Sequence, residues 1–140
     1  MGTTFTIKYI DNYNNNSISI LKHDIDSLLN IYNYTFSTYI DSSEINLFNN
    51  NINSDFTTYS KIFYDLLYDS IKLNKMTEGM FDITIYPLVN LWGFNTGNDR
   101  IQKPNNDVID SLMNFVGMDN LYLNNGSIRK KNPNIKLDFN

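Results

Sequence analysis

The stretch Leu121–Lys130 constrains the fold more than any other part of the chain. Leu121-Tyr122-Leu123, Asn124-Asn125-Gly126 and Ser127-Ile128-Arg129-Lys130 read as strand, tight turn, strand. Asn-Gly readily takes the positive φ that a two-residue hairpin turn needs. An antiparallel pair therefore sits late in the sequence, and the residues before it show a different period. Leu21, Ile25, Leu28, Leu29, Tyr32 and Phe36 recur at three and four residue spacing behind capping serines at 17 or 19, which predicts a helix with one buried face. Ser37-Thr38-Tyr39 breaks it. Asp41-Ser42-Ser43-Glu44 offers caps for a short second helix carrying Ile45, Leu47 and Phe48. Ile62, Phe63, Leu66, Leu67 and Ile71 predict a third over about Thr57 to Asn74, stopped near Gly79. Val108, Leu112, Met113 and Val116 predict a fourth, capped at Asn105 or Asn106 and closed by Gly117. Alternation predicts strands at Thr3–Tyr9, Met80–Ile85 and Asn134–Asn140, with a short apolar turn or helix starting at Pro87 and a loop over Asn95–Asn106. The fold class is α+β: a mixed or antiparallel sheet with flanking helices.

Composition narrows the function classes. The 140 residues are enough for one domain that buries roughly two thirds of its unfolded surface, so disulfide staples are unnecessary. With 41% hydrophobic and 19% charged residues the chain is globular rather than disordered. It has no cysteine and one histidine, which excludes thiolate zinc, iron–sulfur clusters, a cysteine nucleophile and two-histidine metal motifs. A net charge of −4 argues against nucleic acid and against a basic membrane-binding face. The 24 asparagines, with no alanine anywhere, are interleaved with apolar periodicity instead of forming a tract, so they carry no prion-like reading.

Most acidic residues fall on polar helix faces or loops and read as solvated charge. Asp82 and Asp138 stand inside apolar strand-like segments, where an unpaired carboxylate is costly to bury. Each is a hydrogen-bond anchor for backbone or for a ligand. His23 reads as a surface residue of the first helix, and Trp92 and Phe94 serve either a core or an aromatic stack.

Met1-Gly2-Thr3-Thr4-Phe5, Leu29-Asn30, Ser37-Thr38-Tyr39, Ser43-Glu44-Ile45, Phe48-Asn49, Val116-Gly117 and Leu137-Asp138-Phe139-Asn140 frame the block from Thr77 to Phe94, TEGMFDITIYPLVNLWGF. In order and spacing they resemble the FAD:protein FMN transferases, the ApbE family, also called thiamine biosynthesis lipoproteins. The block is similar to that family's T-x-G-x-F-D-x-T…P-L-x-x-L-W-G-F. The resemblance implies a flavin cleft and a magnesium-dependent transfer. In it, the hydroxyl of a Thr or Ser in a target flavoprotein attacks the phosphorus of the FMN half of FAD, releasing AMP. By matched position it implies FAD contacts at Met1, Tyr39, Met80, Phe81, Asp82 and Asn140.

After its L-D strand the family continues with a G-x-A-K-G-Y segment, and its metal ligands come from there and from a later Asp/Thr pair. The expectation is therefore that residues 1–140 are the N-terminal portion of a single FMN-transferase domain, holding part of the FAD cleft and no metal ligand. Such a portion calls for a complementary C-terminal half or self-association. An alternative is an FAD-binding module without turnover of its own. As written the chain has no signal segment and reads as cytoplasmic, whereas family members are usually exported, membrane-anchored lipoproteins.

Overall fold

The computed structural model describes Thr4 and residues 6–10, 16–94 and 103–139. Five helices occur among them, α1 (Asn16–Phe36), α2 (Glu44–Asn50), α3 (Lys61–Met76), α4 (Tyr86–Leu91) and α5 (Asn106–Met113). Three strands, β1 (Thr57–Thr58), β2 (Leu121–Asn124) and β3 (Ser127–Lys130), form an antiparallel sheet in the order β1-β3-β2. The architecture is α+β. No described helix is long and apolar enough to cross a membrane.

The hairpin forms as the sequence predicts. Asn125 and Gly126 take φ of 44° and 82°, and Leu121 pairs with Lys130 while Tyr122 pairs with Arg129. Ser43 caps α2 by accepting from the Asn46 amide, Ser60 caps α3 by accepting from Phe63, and Asn105 caps α5 by accepting from Asp107. The core gathers Ile45, Phe48, Phe63, Leu67, Ile83, Met118, Leu121, Ile128, Ile135 and Leu137. Phe63 is its aromatic hub, with the rings of Phe36, Phe48, Tyr59 and Phe139 at 6.0, 5.7, 5.1 and 6.1 Å.

Six expectations are corrected. Ser17 and Ser19 lie inside α1, which already includes Asn16, and so do not cap it; α5 ends at Met113, with Asn114 as its C-cap and Val116 beyond it. The third helix starts at Lys61 rather than about Thr57, because Thr57 and Thr58 pair with Ile128 and Ser127 of β3. Sheet pairing there overrides the helical period of the following residues. Met80–Ile85 is not a strand: Asp82 caps a 3₁₀ turn, Ile83–Ile85, that leads into α4 with Pro87 in its first turn. Residues 6–10 belong to no strand. Their alternation instead turns Ile7 and Tyr9 toward Leu21 and Ile25 of α1, with which they line a shared hollow.

The expected C-terminal strand, over its described residues, is an extended segment that joins no sheet. A side chain takes the place of a neighbouring strand: Asn49 donates from Nδ2 to the Leu137 carbonyl at 2.9 Å and accepts from the Leu137 amide at 2.7 Å. One residue earlier, the Phe48 carbonyl accepts from Lys130 Nζ at 3.0 Å, and the same ammonium donates to the Pro133 carbonyl at 3.0 Å. The end of α2 thus grips the chain on both sides of residues 131–136. The expected 95–106 loop lies outside the described residues up to residue 102.

Lys130 is buried in this joint, and burial, reinforced by the charge of Lys136, lowers its pKa from 10.5 to about 8. A base depressed by folding leaves the folded chain with fewer bound protons than the unfolded chain between those values. Stability is therefore expected to rise as pH increases from about 8 toward 10. Tyr59, whose pKa burial raises above 10.0, reverses the trend only beyond that point. Urea midpoints measured across this window should climb for the parent and stay flat for Lys130→Met. A parent slope of the opposite sign would contradict the assignment.

Candidate functional site

Tyr39 projects from the loop between α1 and α2. The loop is fastened from behind: Ser43 Oγ donates to the Ser37 carbonyl at 2.7 Å, and Asn46 Nδ2 donates to the carbonyls of Thr38 and Ile40 at 3.0 and 2.9 Å. The Tyr39 backbone is held while its side chain stays 67% exposed. A ring presented this way is available to cover a flat ligand without repacking the core.

The second segment is the loop that ends α3. Thr77 Oγ1 accepts from the Phe81 amide at 3.1 Å, and Asn74 Nδ2 donates to the Phe81 carbonyl at 2.6 Å. Gly79, at φ 85°, donates its amide to the Asn74 carbonyl at 2.8 Å. That left-handed turn is the reason for a glycine at this position. Asp82 Oδ1 accepts from the Thr84 amide at 2.7 Å and from Thr84 Oγ1 at 2.5 Å; Thr84 Oγ1 in turn accepts from the Gly117 amide at 2.6 Å. One carboxylate oxygen of Asp82 is thus committed to the fold, through the amide and the hydroxyl of Thr84. Met80, 90% exposed, caps the outside of the loop.

Two hollows bring these segments together. The first, about 180 Å³, is lined by Tyr32, Asn33, Phe36, Ser37, Tyr39, Leu66 and Phe139. The second, about 230 Å³, is lined by Met80, Phe81, Asp82, Ile83, Ile85, Val89, Asp138 and Phe139. Phe139 is a wall of both, although in sequence its alternation with Leu137 cannot be told from core packing. Asp138 reaches the second hollow because its amide donates to the Ile83 carbonyl at 2.9 Å. Of the expected contacts, Tyr39 lines one hollow and Met80, Phe81 and Asp82 line the other; Met1 and Asn140 lie outside the described residues. His23 is exposed on α1, Trp92 is half-buried and Phe94 is exposed. None of the three lines either hollow.

A family model described as the ApbE family matches residues 1–140. The chain belongs to the ApbE family. Among ApbE-type relatives, the FAD:protein FMN transferase of Vibrio cholerae is 32% identical over 139 residues, covering 99% of this chain and 42% of the relative. The FAD:protein FMN transferase of Haemophilus influenzae is 33% identical over 146 residues, with coverage of 99% and 42%. The solved flavin transferase ApbE from Vibrio cholerae superposes with a TM-score of 0.81 at 31% identity, covering 86% of this chain and 39% of that one. The chain thus spans about two fifths of the length of the relatives it matches.

No group of three or more His, Asp or Glu side chains converges to hold a metal among the described residues of this ApbE chain. Asp82 and Asp138, the two carboxylates at the second hollow, are too few to enclose the six oxygen ligands that magnesium prefers without help from other sequence or substrate. The described residues do not fit a magnesium site by themselves.

Proposed function

We propose that residues 1–140 are the N-terminal portion of a single FAD:protein FMN transferase domain, and that the Tyr39 and Met80–Asp82 hollows are its share of the FAD cleft. What supports the reading is that the hollows of these matched residues share one ring, Phe139, in a chain whose relatives carry that activity in their names. Met1 and Asn140 complete the proposed set of contacts. In the transfer, the oxygen of a Thr or Ser hydroxyl in a target flavoprotein bonds to the phosphorus of the FMN half. The pyrophosphate P–O bond breaks and AMP leaves. Ligands for the magnesium that the resemblance implies belong, in this reading, to sequence outside residues 1–140. The chain alone binds FAD and does not turn it over.

The test is a titration of the 140-residue chain with FAD, followed by quenching of flavin fluorescence. Saturable binding is expected, and Tyr39→Ala should weaken it about tenfold through loss of the ring contact. Because Tyr39 is exposed and the backbone on either side of it is held by Ser43 and Asn46, the circular dichroism of that variant should match the parent. A folded parent chain that does not quench flavin would refute the proposal.

A further inference from the structure

The two hollows differ in chemistry. Around the first stand four aromatic rings, Tyr32, Phe36, Tyr39 and Phe139, with Leu66, and its polar groups are the two tyrosine hydroxyls, Asn33 and Ser37. Such walls suit a flat heterocycle. Two carboxylates, Asp82 and Asp138, stand at the second, with no Lys or Arg among the described residues that line it. That second hollow favours O–H and N–H donors and repels phosphate. Phe139 lines both, and neighbouring contacts hold it. Its ring meets Phe36 edge-on at 5.2 Å and Phe63 at 6.1 Å, while the Asn49 grip on Leu137 and the Asp138–Ile83 hydrogen bond set its backbone.

From this arrangement we infer that Phe139 is a specificity-determining partition: the ring system of the ligand lies on its aromatic side, and a hydroxylated sugar arm passes its edge toward Asp82 and Asp138. The part of the ligand recognised here is a heterocycle with its sugar, short of the phosphates. FAD contains two such units, riboflavin and adenosine. The inference rests on the FAD-cleft reading and adds to it which chemistry of FAD these hollows take and which residue divides them.

The experiment titrates the 140-residue chain with FAD, riboflavin, FMN, adenosine and AMP, using fluorescence quenching for the flavins and calorimetry for the adenine compounds. One of the two phosphate-free compounds is expected to saturate the chain, and its monophosphate to bind about tenfold more weakly or worse. Phe139→Ala should cost the phosphate-free compound about tenfold, with Phe139→Leu intermediate and serving if the Ala variant fails to fold. Asp82→Asn keeps an oxygen for the Thr84 amide and removes the charge. It should narrow the gap between the compound and its monophosphate, a change that loss of structure would not produce. Equal affinity of a folded Phe139 variant and the parent overturns the inference, as does a monophosphate that binds as tightly as its parent compound. If FAD binds and neither phosphate-free compound does, the partition is wrong and the FAD reading stands. If the folded chain binds no FAD, the FAD reading itself fails.

Discussion

Asn49→Ala is expected to lower the unfolding free energy by about 2–5 kcal/mol, because it leaves two buried backbone groups unpaired at once. Asn49 and Leu137 are both buried, and the amide side chain of the first satisfies the N–H and the C=O of the second. Water cannot readily replace it there, and an alanine methyl offers neither donor nor acceptor. The effect extends beyond stability. Leu137 is the point from which Asp138 and Phe139 reach the hollows, so its release should also reduce flavin quenching. The checks are a urea midpoint and hydrogen exchange at the Leu137 amide, which should lose protection in the variant. Asn49→Asp separates the two halves of the grip, since a carboxylate still accepts from the Leu137 amide and no longer donates to its carbonyl. An unchanged midpoint with an unchanged Leu137 exchange rate in Asn49→Ala would show that the grip contributes nothing.

The same contact shows where sequence reading stops. Period and capping chemistry are local: period located α1 and the body of α3, and turn and cap residues located the cap of α2 and the Asn125-Gly126 turn. Pairing between distant residues is not local. Ile135, Leu137 and Phe139 alternate as a strand should, yet the partner of Leu137 is a side chain 88 positions away, and alternation alone cannot separate that from a sheet neighbour. Met80–Ile85 failed for a related reason: the alternation is there, but Thr77, Gly79 and Asp82 impose turn and cap geometry on it. The Thr77–Thr84 block was recognisable as a motif, and the structure gives most of its marked residues a structural task. Thr77 ties the Phe81 amide, Gly79 makes the left-handed turn, Asp82 caps the 3₁₀ turn, and Thr84 links Asp82 to Gly117. A motif can therefore be read correctly as a family signature while the work of its residues stays hidden until the loop is seen. The place of Phe139 is not legible in sequence, because it lines two hollows that no single segment forms.

Phe63→Ala should lower the unfolding free energy by about 3–5 kcal/mol. Phe63 is fully buried, and its ring is shared by Phe36, Phe48, Tyr59 and Phe139. Truncation removes the transfer free energy of a whole ring and leaves a void among rigid neighbours that cannot collapse into it. Against the 5–15 kcal/mol that typically separates folded from unfolded domains, a loss of that size is a large fraction of the total. The variant is best read from its urea midpoint beside Phe63→Leu, which refills much of the volume and should recover more than half of the loss. A functional consequence follows from the geometry. Phe36 and Phe139 lean on Phe63 and also line the first hollow, so the hub supports the aromatic walls from behind. At temperatures where Phe63→Leu is still folded, its flavin quenching should be weakened while its circular dichroism is retained. A midpoint shift below about 1 kcal/mol for Phe63→Ala would mean that the surrounding rings close the void, and the hub would then be redundant for both the core and the cleft.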